Sequence, residues 1–167
     1  MKIKKFMAMM IAAVALCVSF ASCGDDDDDD DNKVVTPAAQ TLAGEYTGVL
    51  TLSVMGSESK DTVVYEIKKT DDTHVSITTP AYGSGAMALP SITLDNISVS
   101  TTASSGVEVI SASVSEVSGS IEVNGEEKAY KFSDVVIANT GNKVSVAYSL
   151  QYGKMPMAMG FSFTGEK

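Results

Sequence analysis

From Leu42 onward, apolar and polar residues alternate with a period of two, and no stretch sustains a helical period. Tyr46, Gly48, Leu50, Leu52 and Val54 fall on one face of a predicted strand, with Thr47, Thr51 and Ser53 opposite. Met55–Lys60, containing Gly56, reads as a turn. Val63, Tyr65 and Ile67 then alternate with Glu66 and Lys68, and Asp71-Asp72 turns the chain toward Val75 and Ile77. Pro80–Pro90 is the longest irregular stretch. Ile92 and Leu94 resume the pattern, but its phase slips at Asp95-Asn96 before Ile97 and Val99, which predicts a bulge. A second slip is read between Val107/Val109 and Ile110/Ala112/Val114. Val117, Gly119, Ile121 and Val123 run into Asn124-Gly125, a pair suited to a two-residue hairpin. Tyr130/Phe132 leads to Val135–Ile137, Gly141-Asn142 turns, and Val144/Val146/Tyr148/Leu150 follows. Met155, Met157, Met159, Phe161 and Phe163 share one parity and are expected on one final strand.

Eight to nine short strands with tight connections and no crossover helix predict an all-β fold. The expected form is a single antiparallel up-and-down barrel, with a β-sandwich as the alternative. The barrel would occupy residues 42–167. One apolar and one hydroxyl-rich face per strand suits a sheet buried on one side. A membrane-spanning barrel reverses that sense, with an apolar outside and aromatic girdles.

The first 41 residues are of another kind. Met1–Lys5 is basic, Phe6–Phe20 is apolar, and small residues lead to Cys23. This is the order of a cleavable export signal over residues 1–22; the apolar run is shorter than the ~20 residues a spanning helix needs. Ala21-Ser22-Cys23 resembles a bacterial lipobox, although Phe20 stands where an aliphatic residue is usual. The resemblance implies lipidation of Cys23. Asp25, Asp26, Asp27, Asp28, Asp29, Asp30 and Asp31 follow as an unbroken acidic run, which self-repels and stays solvated. It lacks the Gly-punctuated spacing of a calcium loop. Such a run just after the lipidated Cys resembles the lipoprotein export signal of Bacteroidota, so residues 23–41 are expected to be lipid anchor, export signal and flexible linker. The address this implies is the outer membrane at the cell surface, with the folded domain outside the bilayer.

Charge and composition narrow the function. The net charge is −9 and the chain has no arginine, which excludes nucleic acid as a partner because phosphate recognition depends on clustered cations. Cys17 lies within the signal, so Cys23 has no intramolecular disulfide partner.

The opening Leu42-Ala43-Gly44-Glu45-Tyr46-Thr47-Gly48-Val49-Leu50-Thr51-Leu52, the central Leu89-Pro90-Ser91-Ile92-Thr93-Leu94-Asp95-Asn96-Ile97 and the closing Phe161-Ser162-Phe163-Thr164-Gly165 complete a pattern. Together with the lipobox and acidic run, they resemble the calycin-like lipoproteins of gut Bacteroidota over about residues 42–166. The resemblance implies a small barrel related to lipocalins, with no settled activity. Calycins proper open with Gly-x-Trp, the Trp packing under an Arg from the last strand. Here Gly44-Glu45-Tyr46 falls at that motif, with Tyr for Trp and no Arg to pair with it.

Candidate chemistry is sparse. His74, the sole histidine, falls on a polar face beside Asp71-Asp72, which leaves no Ser-His-Asp arrangement. Glu126-Glu127 reads as a hairpin-tip pair pointing to opposite faces, and no Cys/His cluster has zinc spacing. No cofactor, metal or catalytic residue is expected. Met155, Met157 and Met159 on one strand face read first as core, next as the lining of an apolar pocket, and last as a soft-metal site. With Tyr82 and Met87 from the Pro80–Leu89 rim, they form the candidate ligand-binding set. The expected function is a non-enzymatic binding module for a small apolar ligand or glycan fragment. The alternative is an accessory subunit with a filled barrel acting through protein contacts at the cell surface. The bore decides between them: aromatic side chains that meet inside leave no room for a ligand.

Overall fold

A computed structural model describes residues 36–85, 88–104 and 107–167. Helix α1 (Ala38–Leu42) precedes eight strands: β1 (Gly44–Val54), β2 (Ser57–Lys69), β3 (His74–Thr79), β4 (Ile92–Ser104), β5 (Val107–Val123), β6 (Glu126–Thr140), β7 (Lys143–Tyr152) and β8 (Met159–Glu166). Each pairs antiparallel with the next, and β8 returns to β1 to close an up-and-down barrel. The fold is the one the alternation predicts, and the sandwich is excluded.

Closure needs two strands to approach unusually near. Gly48 of β1 pairs with Gly165 of β8, and a Cβ on Gly48 would overlap the backbone carbonyl of Thr164. The Asn124-Gly125 turn has both residues at positive φ, 55° and 78°, as a type I′ hairpin requires. Asn96 (φ 59°) carries the expected bulge: β4 shifts register against β3 between Ile97 and Leu94.

The count of eight falls within the expected eight to nine, because Val107–Val114 and Val117–Val123 form one 17-residue strand. Two sequence readings are corrected. No register shift occurs between Val109 and Ile110; Val107 is simply an exposed outward valine. The real change of face comes further on, where Asp134 (φ 53°) bulges β6 against β7 and the inward parity passes from Val135 to Phe132. Last, Ala38–Thr41, read as linker, belongs to α1, whose Ala39 and Leu42 are fully buried.

The barrel has two unlike ends. At one lie α1, the β2–β3 and β6–β7 turns and the end of β8. At the other lie the β1–β2 and β5–β6 turns and the β3–β4 and β7–β8 connections. The signal, Cys23 and Asp25–Asp31 lie outside the described residues.

Candidate functional site

The α1 end is sealed by side chains. Tyr46 is fully buried and donates its hydroxyl to the Leu42 carbonyl at 2.7 Å, tying β1 to the helix. Asn139, buried on β6, donates to the Lys143 carbonyl at 2.9 Å and reaches the Tyr46 hydroxyl at 3.4 Å from across the lumen. Lys167, just past β8, places its Nζ 5.3 Å from the Tyr46 ring centroid and donates to the Thr41 carbonyl at 2.7 Å. A cation over an aromatic face, following the last strand, thus exists without any arginine. Burial lowers the pKa of Lys167 and pushes the Tyr46 phenol up to about 12.

The middle of the lumen is filled by aromatic rings. Tyr65 of β2 and Tyr148 of β7 join hydroxyls at 2.8 Å across the interior. Phe163 lies against Tyr65 with ring centroids 4.4 Å apart; Phe161 stacks on Tyr148 at 4.9 Å, and Phe132 meets Tyr148 at 5.2 Å. An eight-stranded barrel has a bore just wide enough for side chains to fill, and these chains fill it. Burial raises the pKa of both Tyr65 and Tyr148 above the ordinary tyrosine value.

The candidate ligand residues gather at the opposite end but form no common pocket wall. Tyr82 and Leu89 exchange backbone hydrogen bonds at 3.0 and 2.8 Å, which pins the β3–β4 connection and draws Leu89 into the core. The Tyr82 hydroxyl meets Ser59 of β2 at 2.8 Å. Met87 lies outside the described residues. The three methionines do not share a strand: β8 begins only at Met159. Met159 is buried opposite Leu150, Met155 sits half-buried in the β7–β8 turn, and Met157 is 45% exposed. Gly153 and Pro156 lie where the backbone turns before the strand starts, so the shared parity of Met155, Met157 and Met159 does not report a face.

One concavity lies on the outer wall. A groove of about 350 Å³ runs over Thr51 and Ser53 of β1, Gly160 and Ser162 of β8, and Ala147 and Ser149 of β7. Glu58 and Asp134 stand at its two sides. Small outward side chains on three adjacent strands, bounded by longer ones, produce it. His74 opens β3, its Nδ1 3.0 Å from Asp71 in the β2–β3 turn. The backbone N–H of Thr73 and then His74 hold the Asp71 carboxyl down to about 2. Among the described residues, no three His, Cys, Asp or Glu side chains group to hold a metal.

Sequence reasoning missed Asn139 and the partnership of Lys167 with Tyr46. The absent arginine was a usable signal, because it directs attention to whichever cation follows the last strand.

An eight-stranded antiparallel barrel, closed by a helix and a cation–aromatic contact at one end, defines a calycin-type architecture. The model of the calycin-like beta-barrel domain family matches residues 42–166. The chain belongs to that family. It is similar in fold to a crystal structure of a proposed outer membrane protein from Bacteroides fragilis NCTC 9343, with TM-score 0.59 and 18% identity. The match covers 79% of this chain and 53% of that one, so the chain spans about half the length of that relative. Comparison with curated proteins found no match.

Proposed function

We propose that this chain is a lipid-anchored barrel, displayed on the outer face of the outer membrane, that binds through its exterior and not through its lumen. Cys23 would carry the lipid, Asp25–Asp31 would direct export, and residues 32–37 would complete the connection to the barrel. One observation carries the choice of exterior over lumen: the hydroxyls of Tyr65 and Tyr148 meet at 2.8 Å, with Phe161, Phe163 and Phe132 packed around them. A small apolar ligand would have to break that hydrogen bond and displace rings that already bury one another. This favours the accessory, protein-contacting role over lumenal capture.

A second reading is supported by the groove, whose hydroxyls and flanking carboxylates suit the polar surface of a glycan fragment. Its volume lies near the lower end of ligand sites.

Two measurements test the proposal. Cys23→Ser should move the protein from the membrane to the soluble fraction, and unchanged attachment would reject the anchor. Titration with a fluorescent fatty acid should show no saturable binding. Stoichiometric uptake that perturbs the Tyr65 and Tyr148 signals would reject the filled-lumen reading. For the glycan, Ser162→Trp should abolish saturation-transfer signals from surface oligosaccharides if the groove holds them.

A further inference from the structure

The barrel wall is incompletely zipped. β4 pairs with β5 only over Val99–Ser104 against Val107–Ala112. Below that point Ile92–Ile97 pair with β3 across the Asn96 bulge, while β5 runs on to Val123 alongside β6 alone. Among the described residues, nothing pairs with the β4-facing side of Ser113–Val123. These 11 residues form an open edge about 37 Å long at ~3.4 Å per residue. Alternate N–H and C=O groups along it point outward.

Proteins usually blunt such edges with lysine, proline or an inward charge. Ser113-Val114-Ser115-Glu116-Val117-Ser118-Gly119-Ser120-Ile121-Glu122-Val123 has no lysine and no proline. It is also two-sided. Val117, Ile121 and Val123 are half-buried on one face, where the Tyr130 ring lies over Gly119 so closely that a Cβ would meet its hydroxyl at 2.5 Å. Glu116, Ser118, Ser120 and Glu122 are exposed on the other face. Lys131 bridges Glu116 at 2.7 Å, but Glu122 pairs across the ladder with Glu127, carboxylate opposite carboxylate. Like charges placed so destabilise a ladder, and a cation beside them relieves it.

We propose that this edge is a β-augmentation site for an extended segment of a protein partner that alternates basic or hydroxyl residues with β-branched apolar ones. Backbone hydrogen bonds supply the affinity and the two faces supply the selection. The apolar positions would cover Val117, Ile121 and Val123, and a cation would sit beside Glu122. The charges argue against the other occupants. A second β5 would bring two more glutamates to the same face, and Asp25–Asp31 has the same sign. This rests on the reading that the exterior does the work, and it names the element and the partner chemistry.

The probe is a capped nine-residue peptide alternating lysine with valine, followed by amide hydrogen exchange and by anisotropy. Alternate amides within Ser113–Val123 should slow at least tenfold when the peptide binds. A peptide with proline at its centre should fail to protect them. Glu122→Lys, at an exposed hairpin tip, should leave the fold intact and weaken binding at least tenfold at low salt. Absent protection, equal binding of the proline peptide, or unchanged affinity of Glu122→Lys would each overturn the proposal. So would protection that grows with protein concentration alone and tracks a sedimenting dimer, since the occupant would then be a second copy. Fatty-acid entry into the lumen would defeat the exterior-binding reading while leaving β5 protection unchanged, so the two failures are distinguishable.

Discussion

Replacing Tyr148 with Phe removes one hydroxyl from the centre of the barrel and leaves the Tyr65 hydroxyl, which is fully buried, without its 2.8 Å partner. Losing a partner exposes the remaining group to its whole desolvation cost, about 1–3 kcal/mol. Tyr65→Phe should cost a similar amount for the reciprocal reason. The double replacement removes both polar atoms, keeps both rings against Phe161 and Phe163, and should be nearly neutral. The cycle should therefore show a coupling of about 1–3 kcal/mol, measured as shifts of the urea midpoint at constant slope. Two additive single effects, each under about 0.5 kcal/mol, would mean that water reaches the hydroxyls and the lumen is open, and the argument for exterior binding would fall with it.

The same pair gives a pH signature. Burial raises both phenols above the ordinary tyrosine value of 10.0. Above that pH the unfolded chain loses protons that the folded barrel keeps, so stability falls as pH rises beyond 10 and is flat below it. The Phe–Phe variant should lose part of that alkaline slope, and Tyr46, pushed up to about 12, should account for part of what remains.

Three other perturbations follow from the packing. Gly48→Ala places a Cβ against the Thr164 backbone, which cannot rotate away, and should destabilise by about 1–3 kcal/mol or more, with faster exchange along β8. Met159→Ala should cost about 2–5 kcal/mol as a core truncation, whereas Met157→Ala, at an exposed site, should stay within about 0.5 kcal/mol; equal effects would restore the common methionine face. Lys167→Met keeps the aliphatic stem and removes the cation over Tyr46 and the bond to Thr41, which should cost about 1 kcal/mol and loosen α1 amides first.

Local chemistry was legible where a feature depends on neighbours in the chain. Asn124-Gly125 announces its turn because positive φ at both positions suits few other residues, and the Asp95-Asn96 slip records a bulge because the buried residues on either side change parity. Parity failed where the environment was not local. Val107 is apolar yet 53% exposed, so it imitates a phase change that the register does not contain. The methionine run imitates a strand face because alternation in composition continued through a stretch where the backbone turned. Met87 and the Tyr82 loop illustrate a different limit: a rim residue can be named from a loop, but whether a bore lies beneath it depends on rings from β2, β6, β7 and β8 meeting. Lys167 and Tyr46 stand at opposite ends of the barrel sequence, and only closure brings them together.

A barrel sealed at its floor by Tyr46, Asn139 and Lys167, and filled at its middle by Tyr65 and Tyr148, has spent its inward side chains on one another. What remains for recognition is what closure left unpaired. The register says where that lies: β4 has 13 residues and β5 has 17, yet they pair only over Val99–Ser104 and Val107–Ala112, so the wall is not zipped along its full height. The bulge at Asn96 falls close to where pairing with β5 stops, and below it Ile92 and Leu94 pack beside Ile77 of β3 in the core. The bulge bends the strand at that point, and the outer edge of β5 is left open beyond it. Trimming the hairpin tip beyond Ile121 should shorten that edge, whereas a cut reaching Val117 would also remove side chains that pack against the core.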